Sequence, residues 1–141
     1  MSTSIAPFLL IILVLIAGCI SHQPPPQGDP TAVAGMWKAE LDGRFHLDLD
    51  LTPTTLTITD GDVSNDIVVI PSGFSFDGTT FAFEFDHSPF MPPSVHPPSP
   101  GHGTFTMSAT VTGDTMAGTG TRADGKAFDW TAVRVGRLPN E

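Results

Sequence analysis

Three of the five histidines, His87, His96 and His102, fall within one segment that runs from Asp86 to Gly103. Imidazole is a good ligand for Zn²⁺ or Cu²⁺, and Asp86 could add a carboxylate. The spacings fit no metal pattern, and the prolines between the histidines hinder the chain from folding back on itself. The segment therefore reads as a mobile loop capping one mouth of the fold, with a partner-binding loop that offers Phe90 and Met91 as apolar contacts as the alternative. Asp60, Asp62, Asn65 and Asp66 crowd a second turn, but no Glu closes a twelve-residue Ca²⁺ loop there. A solvated acidic turn is the expectation. No Gly-x-Ser-x-Gly, Walker or zinc-protease motif occurs. The hydroxyls and carboxylates alternate onto a wet face instead of pairing on a buried one. The chain is expected to be no enzyme and to need no cofactor or metal.

The remaining chemistry lies in the single cysteine. Residues Ile5 to Ile20 are almost wholly apolar. The run is short of the ~20 residues that a spanning helix requires, and Pro7 interrupts its start. It suits the hydrophobic region of a signal peptide. Its end, Ile16-Ala17-Gly18-Cys19, resembles the lipobox of bacterial lipoproteins. That resemblance implies cleavage after Gly18 and acylation of the Cys19 thiol, which becomes the membrane anchor. Ile20 and Ser21 follow, with no aspartate after the cysteine; in a host with two membranes this leans toward the periplasmic side of the outer membrane. Exported proteins meet an oxidising compartment, where a free thiol is a liability. Here the one thiol is the one that would be capped.

Residues 19–34 then read as a tether. Pro24-Pro25-Pro26 favours polyproline II, and the segment has little apolar content to join a core. The chain carries 15 acidic and 6 basic residues, a formal charge of −9. That balance disfavours nucleic acid, whose phosphates need Lys and Arg. It also disfavours electrostatic docking on anionic lipid.

From Gly35 onward the apolar residues repeat every second position, the period of a strand. Phe45, Leu47, Leu49 and Leu51 alternate with Arg44, His46, Asp48 and Asp50. Phe81, Phe83 and Phe85 alternate with Ala82, Glu84 and Asp86. Phe105, Met107, Ala109 and Val111 alternate with Thr106, Ser108 and Thr110. Ile67 to Ile70 is continuously apolar, which implies cover on both faces or a bulge. Asp42-Gly43, Asp77-Gly78, Gly113-Asp114 and Asp124-Gly125 are hairpin turn pairs. The pattern predicts an all-β, antiparallel up-and-down meander of about eight to nine strands, closed as a barrel, over residues 35–137. A β-sandwich is the alternative. Residues 138–141 form a tail.

Gly35-Met36-Trp37 opens the first strand, and Trp130-Thr131-Ala132-Val133-Arg134 closes the last. These look like the ends of a lipocalin-like (calycin-type) barrel. The resemblance implies Trp37 and Arg134 as a closing pair. It also implies a small hydrophobic ligand held inside the barrel. The competing expectation is an interior filled by Phe, in a structural or assembly lipoprotein that contacts envelope proteins.

Overall fold

A computed structural model describes residues 28–62, 67–97 and 99–137. The signal peptide, the lipobox and Cys19 lie outside these residues, as do Asn65, Asp66 and the tail.

The described chain is all-β and antiparallel. Nine strands form one curled sheet: β1 (Gly35–Leu41), β2 (Phe45–Leu51), β3 (Leu56–Asp60), β4 (Val68–Val69), β5 (Phe74–Phe76), β6 (Thr80–Asp86), β7 (Thr104–Thr112), β8 (Thr115–Thr121) and β9 (Ala127–Gly136). Their order is β4-β3-β2-β1-β9-β8-β7-β6-β5. Sequence neighbours are thus sheet neighbours, as short turns dictate. The first and last strands also pair, from Met36 opposite Gly136 to Leu41 opposite Trp130. That pairing curls the meander into a barrel-like wall.

The turns are built where the sequence placed them. Asp42 and Gly43 both have positive φ (55° and 64°), as a two-residue hairpin with the right twist requires. Asp77 receives the backbone N–H groups of Thr79 and Thr80 on one carboxylate oxygen, which pins the β5–β6 turn. Alternate turns lie at opposite ends of the wall. The β2–β3, β5–β6 and β7–β8 turns share the end where the chain enters. The β1–β2 and β8–β9 turns and the 87–103 loop share the far end.

One seam departs from full closure. No ladder joins β4 to β5 among the described residues. Both strands run toward the entry end, because β4 is antiparallel to β3 and β5 to β6. They act as one broken stave, with its first part laddered to β3 and its second to β6. Pro71 cannot donate to a ladder, and Gly73 weakens one, so the break falls between them. The apolar run Ile67–Ile70 is therefore not covered on both faces: Val68 and Ile70 are exposed, and Val69 alone packs against the core.

The core is a single cluster that takes residues from every strand except β4. Its largest fully buried side chains are Trp37, Trp130, Phe81, Leu41, Leu49 and Leu51. Phe81, Phe83 and Phe85 stand in a row, with successive ring centroids 5.3 and 5.8 Å apart. Phe83 meets the Trp130 indole edge-on at 6.1 Å.

Candidate functional site

At the entry end, residues 28–34 are not a free spacer. Gly28 donates its N–H to the Phe76 carbonyl on the open edge of β5 (2.8 Å). Pro30–Ala32 then form one 3₁₀ turn, capped by the Asp29 carboxylate, which accepts from Thr31 N–H. Val33 and Ala34 are fully buried. The sequence suggested too little apolar content for this stretch to join the core. The burial depends on two partners, one four residues on and one remote in sequence. The Trp37 indole N–H donates to the Val33 carbonyl (2.9 Å). The Arg134 guanidinium donates to the carbonyls of Ala34 (2.6 Å) and Ala32 (2.8 Å).

The Arg134 side chain is 7% exposed, and its guanidinium carbon lies 4.5 Å above the Trp37 ring. Its Nε is 2.9 Å from the Asp114 carboxylate but out of line for a hydrogen bond. A buried cation survives only when its donors and charge are matched. Here two carbonyls take the terminal N–H groups, and one carboxylate and an indole face meet the charge. The structure thus brings Trp37 and Arg134 together as a plug under the barrel.

At the far end the three loop histidines separate. His87 is 6% exposed, the one buried polar residue among those described. Its ring stacks on Phe105 at 4.4 Å with an interplanar angle of 7°. Phe85, Phe90 and Phe45 meet it edge-on at 6.0, 5.7 and 6.4 Å. Its Nδ1 faces the Gly101 carbonyl at 2.8 Å; a carbonyl only accepts, so Nδ1 carries the proton. The backbone joins in: His87 N–H donates to Gly103 O, and Gly103 N–H to the Ser88 hydroxyl. These bonds hold the loop shut across its base. His102 is half-buried and His96 is exposed. No group of three metal-binding side chains gathers among the described residues. Phe90 turns inward on Phe85 and His87, and Met91 lies against Gly101. The loop therefore presents Pro92, Pro93, Ser94, His96 and Pro97 to solvent, not the Phe90-Met91 pair.

A second imidazole went unmarked in the sequence. His46, on β2, has Asp62 at Nδ1 and Glu40 at Nε2. Asp62 also accepts the His46 backbone N–H (3.0 Å), which ties the β3–β4 turn to β2. The acidic turn thus has a partner.

The two histidines titrate in opposite directions. Burial is the main force holding His87 below its ordinary value of 6.5, against the pull of the Gly101 carbonyl. The hydrogen bond to Asp62 is the main force raising His46 above 6.5. The stability from neutral His87 is present above pH 6.5 and is lost as pH falls through its depressed value. The stability from charged His46 is present below pH 6.5 and is lost as pH rises through its elevated value. NMR titration of the ring protons should place the two midpoints on either side of 6.5. A shared midpoint would refute both environments.

Two depressions in the wall are open to solvent. One of about 410 Å³ is lined by Ser72–Ser75, by Ala82, Phe83 and Glu84 of β6 and by Thr106, Met107 and Ser108 of β7. One of about 220 Å³ sits at the seam, between Gly28, Pro53-Thr54 and Gly73–Phe76. No family model, curated protein or solved structure matches the chain.

Proposed function

We propose that the chain is an exported lipoprotein, held at a membrane through acylated Cys19, whose solid barrel presents its far end to protein partners of the cell envelope. One observation carries the choice of docking module over ligand carrier. The inward side chains of every strand but β4 join in one continuous buried cluster, and the two depressions described above are open to solvent. A barrel of about eight strands is just wide enough to be filled in this way. Supporting this reading, the loop of residues 87–103 stands at the end opposite the chain's entry. A pinned loop also loses less entropy on binding than a loose one.

The test has two parts. Native mass spectrometry of the mature protein should give the mass of the acylated chain alone, and a hydrophobic dye should find no saturable site. A co-purifying apolar molecule at one per chain would restore the carrier reading. Crosslinking in intact cells should then capture envelope proteins with the native chain and lose them when residues 92–97 are replaced by a short Gly-Ser link. An unchanged set of partners would count against the docking role of the loop.

A further inference from the structure

Among the described residues, six large apolar side chains are exposed by half or more: Met36, Phe45, Val68, Ile70, Val133 and Val135. Three of them, Met36, Val133 and Val135, sit together. Met36, second in β1, lies opposite Gly136 across a register shift, and Val133 pairs with Lys38, so the three share the outer face where β1 meets β9. Elsewhere the outer wall is hydroxyl and charge: Thr104, Thr106, Thr110 and Thr112 on β7, and Thr115, Thr119 and Thr121 on β8 are all exposed. A clustered apolar patch on such a wall needs a reason.

Its position supplies one. The patch is at the entry end, the end where Gly28 docks on β5. Cys19 precedes Gly28 by nine residues, a reach of roughly 28 Å if the chain is extended as polyproline II. That distance spans the width of a small barrel. An acyl group on Cys19 would therefore attach the barrel to the lipid by the end that carries the patch.

We infer that the Met36–Val133–Val135 patch rests in the interfacial layer of the bilayer, so that the barrel lies against the membrane in a fixed orientation with the 87–103 loop turned away. The inference depends on the anchored reading above. Three half-exposed side chains offer roughly 300 Å², well short of the ~800 Å² per partner of a stable protein interface. A second copy of the chain is therefore a poor occupant. A bilayer makes no such demand, because the anchor supplies the affinity and a weak second contact then suffices. With a formal charge of −9 on the chain, and Lys38 and Arg137 at the patch offset by Asp50 and Asp114, the lipid it meets is zwitterionic, not anionic.

The chain's single thiol makes the test clean. Acylation consumes Cys19, so Val135→Cys in the full, lipidated protein leaves one reactive position. Pro93→Cys serves as the far-end control. Each is labelled with a polarity-sensitive dye and placed in phosphatidylcholine vesicles with and without brominated acyl chains. The dye at 135 should emit to the blue and be quenched roughly two-fold or more by bromine, while the dye at 93 should do neither. Val133→Cys should repeat the result, so poor folding of one variant leaves the test standing. An aqueous spectrum at 135 on an acylated chain would overturn the inference alone. So would a blue spectrum that bromine leaves untouched, which would mean a second protein on the patch. Wild-type chain that incorporates no palmitate and still reacts with maleimide would refute the anchor, and the inference with it.

Discussion

Trp37→Ala should cost about 3–5 kcal/mol of folding free energy, the range for removing a buried aromatic. A domain of this size has only about 5–15 kcal/mol in total. Trp37 is 1% exposed, so little of the space it vacates can be refilled from outside. Its loss also takes the N–H from the Val33 carbonyl and the ring from beneath Arg134. Arg134→Lys should cost less, about 2–3 kcal/mol, because lysine keeps the charge but cannot fork to two carbonyls. The double variant should cost less than the sum of the two by about 1–2 kcal/mol, since each single change breaks the same contact. Chemical denaturation of the four chains gives all three numbers. A Trp37→Ala loss below about 1 kcal/mol, or strict additivity, would refute the plug as a unit.

That plug was half legible. Gly35-Met36-Trp37 and Arg134 stand out in the sequence, and the structure sets one over the other. What Arg134 holds is not readable, because its acceptors are backbone carbonyls of Ala32 and Ala34, a hundred residues away. Carbonyls leave no mark in a sequence. Val33 and Ala34 look like the end of a tether for the same reason. The strands were legible because a half-wet sheet alternates its residues. The failures come where neighbours decide. Phe45 fits the alternation yet is exposed, because it stands at the end of β2, where the wall stops. Val68 and Ile70 look doubly buried, yet the stave they belong to is broken beside them. His87 reads as a loop histidine, and only the convergence of β2, β6 and β7 gives it a cage of phenyl rings.

The second large effect should appear at Gly118. Along β8 the inward positions are Met116, Gly118 and Gly120, so two of three point no side chain at the core. Their cross-strand partners on β9 are Trp130 and Phe128. The Trp130 indole reaches over β8 and β7 and donates to the carbonyls of Ser108 (3.1 Å) and Thr119 (3.2 Å). It can do so because position 118 is empty. Replacing a strand glycine with alanine ordinarily stabilises slightly, by lowering the entropy of the unfolded chain. Here a Cβ at 118 would meet the Ser108 carbonyl oxygen at 2.0 Å and Ala109 Cα at 2.5 Å. Both are backbone, so the β7–β8 ladder itself would have to part. At 120 the obstacles are the end of the Phe128 ring (2.3 Å) and Met107 Sδ (3.0 Å), which can turn aside. Gly118→Ala should therefore cost about 3 kcal/mol and Gly120→Ala nearer 1 kcal/mol. Thermal or urea unfolding of the two variants compares them directly. Equal costs, or a gain at 118, would mean that the β7 and β8 backbones do not approach each other as closely at Gly118 as this geometry has them.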